Sequence, residues 1–277
     1  MRGIEFIRWI LYADDVVMFC KSVSEAENLL HIINDTCLRF GLTISFKKTK
    51  TQVFNNNDIA DKPSLFSIGD QKIENVQEFT YLGQLITTKE NACFTDLRIT
   101  RSIAKFNELR KVLTDTKINM RTRRKLLEAC VRSRLTYGTQ ALFPNEAQLQ
   151  RLEAWWHQLL RSMVKGGWGR RNQLEGEDDT DFSFVYLNTV IEGIVKTVSL
   201  RNHIYSQYLQ YTGHICRSEN TTITKKLLFA KPTRKYVRDP WIKIAELLQI
   251  SPEQAKRLTQ SRGELNERIC QRFGSTP

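Results

Sequence analysis

Near the start of the chain two apolar runs, Trp9-Ile10-Leu11-Tyr12 and Val16-Val17-Met18-Phe19, flank Ala13, Asp14 and Asp15. Apolar and aromatic runs of this length predict two short, largely buried strands. A turn between them places Asp14 and Asp15 at a hairpin tip, where carboxylates need not be buried. Adjacent carboxylates repel each other, and a divalent cation beside them lowers that cost. Asp-Asp is also ordinary turn chemistry in a hairpin, so the pair by itself leaves both readings open.

Charge narrows the choice. The chain carries a net +12 with a pI near 9.5, which suits a polyanionic partner, nucleic acid before an anionic membrane surface. Between Leu97 and Arg134 there are twelve Lys/Arg and three Asp/Glu. A solvated helix surface normally mixes both signs, so this excess is informative. Apolar residues make up 41% of the sequence, enough for a core. Cys20, Cys37, Cys93, Cys130, Cys216 and Cys270 are scattered without a C-x-x-C pair. That pattern argues against a disulfide scaffold or structural zinc and for reduced thiols. The first apolar run is broken by Asp14 and Asp15, so it is no signal peptide. No run approaches the roughly 18 apolar residues of a membrane span. The expectation is an intracellular protein of the cytoplasm or nucleus, not secreted.

Along the chain, Ser24 and Glu27 have capping-box spacing. Leu29, Leu30, Ile33, Cys37 and Phe40 then keep a helical period that Gly41 closes. Leu42 to Phe46 alternates as a strand and runs into Lys47, Lys48 and Lys50. An Asn/Asp-rich loop (Asn55 to Asp61) precedes a predicted hairpin, Leu65 to Ile68 turning through Gly69-Asp70 into Lys72-Ile73. Phe79 to Ile86 is a short aromatic strand whose glycine allows close approach of another backbone.

From Asp96 the period is helical. Ile99, Ile103, Phe106, Leu109 and Leu113 form one apolar face; Leu127, Cys130, Val131, Leu135 and Tyr137 begin another. Arg98, Arg101, Lys105, Lys111, Arg121, Arg123, Arg124 and Lys125 are expected on the outer faces and the connecting turn. There they would contact phosphates without sequence preference. Leu149, Leu152, Trp156, Leu159, Leu160 and Met163 make a further stripe, with Trp155 and Trp156 read as core. Gly166, Gly167 and Gly169 have no G-K-[ST] after them and are not a phosphate loop. Glu175 to Asp181 reads as an acidic surface linker. Phe184 to Ile215 is helical in character, and Ser251-Pro252 starts a last, basic helix with Pro at its first position.

Tyr12-Ala13-Asp14-Asp15 between two apolar strands resembles the Y-x-D-D motif of reverse transcriptases. Three later landmarks, in order, resemble the LINE-type (non-LTR) retrotransposon enzymes. Gly41-Leu42 with Lys48 resembles G-L-x-I-N-x-x-K-T, Ser45 standing for the usual asparagine. Phe79-Thr80-Tyr81-Leu82-Gly83 resembles the F-x-Y-L-G primer grip. Arg201 to Arg217, with Tyr205, Tyr208, Tyr211, Gly213 and His214, resembles a segment downstream of the polymerase, with His214 read as structural or a nucleic-acid contact.

The resemblance implies an α/β (α+β) palm with an antiparallel sheet over residues 1–92, a basic helical thumb over 93–170 and a helical downstream region over 171–277. It implies Asp14 and Asp15 as ligands of catalytic Mg²⁺, two ions in the intact enzyme, with Lys48 assisting departure of pyrophosphate. Tyr12, Ala13, Tyr81, Leu82 and Gly83 would meet nucleotide and primer. The implied partners are an RNA template, a DNA primer or RNA–DNA duplex, and dNTP, with no membrane. In the family a further aspartate and the fingers lie upstream, and nothing before Tyr12 resembles them. The expectation is therefore a truncated enzyme with little polymerase activity alone. The alternative is a non-catalytic basic nucleic-acid-binding module in which the aspartates are only a turn.

Overall fold

A computed structural model describes residues 7–54, 57–88, 94–164, 184–229 and 240–274. Glu5, Cys93, the glycines at 166, 167 and 169, and the acidic stretch Glu175 to Asp181 lie outside the described residues. The chain divides into two units, one over Glu5–Phe94 and one beginning at Thr95.

In the first unit β1 (Trp9–Tyr12) pairs antiparallel with β2 (Asp15–Met18), and Tyr12 stands opposite Asp15. Ala13 and Asp14 alone therefore make the turn. The Phe19 N–H donates to the Arg8 carbonyl at 2.8 Å and extends the ladder by one rung. The apolar runs are strands as expected, but they are not buried: Trp9, Leu11 and Tyr12 are 57%, 67% and 62% exposed. β1 and β2 form a sheet of two strands. Among the described residues no further strand joins this narrow ribbon, and Met18 at its base reaches the core of the unit.

α1 (Val23–Arg39) begins at Ser22, whose hydroxyl accepts from the Glu25 N–H at 3.1 Å. The Glu25 carboxylate in turn accepts from the Lys21 N–H at 2.7 Å. Ser22–Glu25 and Ser24–Glu27 have the same spacing, so the cap falls two residues earlier than expected. The earlier start sets Val23 and Ala26 against the core. At the other end the Leu42 N–H donates to Cys37 at 2.8 Å and the Gly41 N–H to Leu38 at 3.1 Å. Those two bonds, with Gly41 at φ +70, are a Schellman closure.

Leu42 to Phe46 is not a strand. Ile44 and Phe46 still pack on the core, but Ser45 accepts from the Lys48 and Thr49 N–H groups at 2.9 Å. The chain turns there before a ladder can form. β3 (Lys50–Thr51) follows, then α2 (Asn57–Ala60) inside the polar loop. β4 (Ser64–Ile68) and β5 (Gln71–Asn75) make the expected hairpin around Gly69. β3 joins β5 in parallel, giving the order β3-β5-β4. Leu30 of α1 closes with Phe66, Ile68 and Ile73 into one small core. β6 (Glu78–Tyr81) and β7 (Gln84–Thr87) form a third, separate sheet. The fold is mixed α/β, as expected. Among the described residues its strands are divided among three small sheets instead of one, and one pair is parallel.

The second unit is helical among its described residues. α3 (Phe94–Leu113) is followed by α4 (Met120–Leu127), a π turn (Glu128–Arg132) and α5 (Ser133–Leu135). α6 (Glu146–Met163), α7 (Phe184–Val195) and α8 (Leu200–Arg217) follow. The unit ends with α9 (Ile223–Leu228), α10 (Pro240–Leu248), α11 (Pro252–Leu258) and α12 (Arg262–Phe273). The α6 stripe is buried as its period predicts: Leu149, Leu152, Trp156, Leu159, Leu160 and Met163 are each at most 3% exposed. They pack with Phe106, Leu127, Val131 and Leu135 in one core. Leu209, Ile244, Leu248, Leu265, Ile269 and Phe273 form a second core, and Phe143 and Tyr205 border both. The last helix expected from Ser251 is two helices, because Thr259 and Ser261 end one and cap the next.

Candidate active site and nucleic-acid interface

Asp14 and Asp15 are both exposed. Asp14 occupies the second place of the two-residue turn and Asp15 opens β2. Ala13, in the first place, has φ +52. A positive φ there matches the right-handed twist of the strands, and it normally calls for glycine. Ala13 is the smallest side chain that can hold the position while keeping a Cβ. Two neighbouring carboxylates on an open bend offer hard oxygen ligands of the kind Mg²⁺ takes, one or two carboxylates with substrate phosphates completing the shell. Among the described residues no third His, Cys, Asp or Glu joins them in a metal-binding group.

Lys48 is exposed on the turn that Ser45 holds. Tyr81, Leu82 and Gly83 lie at the β6–β7 bend, where Tyr81 pairs with Gln84. Leu82 and Gly83 both have positive φ, +46 and +77, the signature of a type I′ hairpin turn. The aspartate hairpin, Lys48 and the Tyr81 hairpin all belong to the first unit, yet no strand ladder joins them.

The expected phosphate contacts in the second unit divide sharply. Arg98 is 1% exposed, with its guanidinium 4.9 Å from the Tyr137 ring, and burial pulls its pKa below the usual range, Arg101 adding to the effect. Arg123 is 6% exposed and donates to the carbonyls of Ile118, Leu113 and Met163. Neither lies on an outer face. Arg124 donates to the Lys196 carbonyl at 2.6 Å, and Lys105 pairs with Glu108. Arg121 and Lys125, with Arg110 and Lys111, are exposed, and their charged groups bond to no described residue. Spacing carried a signal for the buried pair. Arg123 opens the row 123-127-131-135 that buries Leu127, Val131 and Leu135, and Arg98 precedes Ser102 and Phe106 at the same interval.

Polar clamps between the helices have no counterpart among the expected contacts. Arg201 donates to Glu153 at 2.7 Å and to Glu146 at 2.8 Å, tying α8 to α6. These hydrogen bonds raise the Arg201 pKa and hold Glu146 below the ordinary carboxylate range. His157 and Glu192 meet at 2.9 Å between α6 and α7. Glu128 accepts from Thr197 at 2.8 Å and from Arg132 at 3.1 Å, anchoring the α7–α8 connection on the π turn. The thiol of Cys216 is buried, which pushes its pKa up to about 11 and makes it inert.

Residues 2–86, which contain both the aspartate hairpin and the Tyr81 turn, match the family model of Reverse transcriptase (RNA-dependent DNA polymerase). Over 158 residues the chain is 30% identical to an uncharacterized protein of Caenorhabditis elegans whose name describes it as transposon-derived. That match spans 55% of this chain and 55% of the relative. No solved structure matches. No described helix is long and apolar enough to cross a membrane.

Proposed function

We propose that this is a reverse transcriptase of non-LTR retrotransposon type, in which Asp14 and Asp15 are the carboxylates of the polymerase site. The observation that carries the reading is the exposure of both aspartates, Asp14 in the two-residue turn with Ala13 and Asp15 at the first position of β2, inside the segment that matches the reverse-transcriptase family. Asp14 and Asp15 would hold Mg²⁺, which stabilises charge on the attacking and leaving oxygens of phosphoryl transfer. The small Ala13 leaves room for the primer end, and Tyr12 packs beside the nucleotide. The Leu82-Gly83 bend presents bare backbone to the primer strand. Lys48 places a mobile ammonium on an exposed turn, suited to meet the departing pyrophosphate. Arg121 and Lys125 supply unpaired cations for duplex phosphates. A non-catalytic nucleic-acid-binding module is the second reading, favoured by these unpaired cations, which need no aspartates to act.

Mn²⁺ broadening of the NMR signals of residues 12–17, recorded with primer–template and dNTP, tests the assignment together with Mg²⁺-dependent primer extension. Asp14→Asn and Asp15→Asn are expected to abolish the broadening, and any synthesis, while duplex binding persists. Undiminished broadening in the double variant leaves the binding-module reading standing.

A further inference from the structure

Gly213 and Arg217 lie one turn apart on α8, and both are spent on the junction between α11 and α12. A Cβ on Gly213 would collide with Cδ2 of Leu265, so the glycine is what admits this α12 side chain. The Arg217 guanidinium donates to the main-chain oxygen of Thr259 at 2.9 Å, satisfying a carbonyl at the end of α11. Thr259 is fully buried, and its hydroxyl donates to the Lys256 carbonyl at 3.0 Å. Ser261 then caps α12, accepting from the Glu264 N–H at 3.3 Å. The three-residue turn 259–261 is thus held from α8 and from both of its own helix ends.

This pinned turn displays cations. Lys256, Arg257 and Arg262 are exposed, as is Gln260 between them, and none of the three charged groups bonds to a described residue. Elsewhere in the unit Lys105, Arg132, Arg151, Arg201 and Lys243 each take a carboxylate. No acidic residue lies between Glu253 and Glu264. Unbonded cations set at defined places on a pinned backbone fit a partner with regularly spaced negative charges, as the phosphates of a duplex are.

We infer that the α11–α12 turn is a contact surface for the phosphate backbone of a nucleic-acid duplex, separate from the cations of α3 and α4. The inference rests on the reading that this protein works on nucleic acid, and it gives the Gly213–Arg217 segment a role that the polymerase site does not. The contact is non-specific in sequence and lengthens the footprint on the duplex.

Fluorescence anisotropy of the full chain with a labelled RNA–DNA duplex, titrated with KCl, tests it. The variant Lys256→Gln/Arg257→Gln/Arg262→Gln is expected to flatten the slope of log affinity against log salt by about two to three. Its melting temperature should match the wild type, because the three exposed charged groups bond to no described residue. A labelled single strand should lose less affinity than the duplex. Wild-type binding to the duplex with no change in slope or affinity in the variant overturns this inference alone, and equal losses on single strand and duplex overturn the assignment to a duplex. Absence of any wild-type binding overturns the nucleic-acid reading with it.

Discussion

Arg123 donates from Nη1 to the main-chain carbonyl of Met163 at 2.8 Å, joining α4 to the end of α6. The same side chain satisfies the Ile118 and Leu113 carbonyls around the α3–α4 connection. A guanidinium is the one side chain whose planar fork serves three carbonyls at once.

Arg123→Ala should therefore cost about 3 kcal/mol of stability, because buried carbonyls lose charged donors. Arg123→Lys should recover less than half of the loss, since a single ammonium cannot span the three acceptors. Arg121→Ala, two residues away and exposed, should stay within about 0.5 kcal/mol. Urea denaturation of the three variants reads these differences. Equal stability of the two alanine variants would show that Arg123 is no structural hub.

Leu82 holds a left-handed φ of +46 that its branched side chain disfavours. Leu82→Asn creates Asn-Gly, the preferred pair for this turn, and should stabilise the β6–β7 hairpin by about 0.5–1 kcal/mol. Slower amide hydrogen exchange across the Thr80–Leu85 pair is the expected readout. Exchange as fast as in the wild type counts against backbone strain at Leu82.

His203 on α8 is partly buried, and that desolvation lowers its pKa from 6.5 to about 4, with Arg132 adding to the effect. Its folded form holds fewer protons than the unfolded chain between those values, so stability rises with pH across that window. The contribution is complete above about pH 6.5 and is lost as pH falls toward 4, amounting to about 1–3 kcal/mol. His203→Gln should flatten the curve of stability against pH in that range, relative to the wild type. An unchanged slope in thermal denaturation from pH 7 to 4.5 would place the imidazole in contact with solvent.

Much of the fold is legible residue by residue. The stripe from Leu149 to Met163 predicts a helix and names its buried side. Gly41 and Gly69 mark the bends where the chain takes positive φ. The turn at Asp14 is legible because two apolar runs leave nowhere else for charge. Ser22 and Ser24 show the limit of local signals: both have the capping spacing, and only the packing of Val23 and Ala26 selects the first.

Local order in this chain is written in its periodicities and its turn residues, since backbone sterics and apolar spacing act between neighbours. Burial is a property of what lies across from a residue, and composition does not report it. Thus β1 is apolar yet exposed, while Arg98 and Arg123 are charged yet inside. Which cations are consumed by carbonyls, and which bond to no described residue, was decided when helices distant in sequence came together.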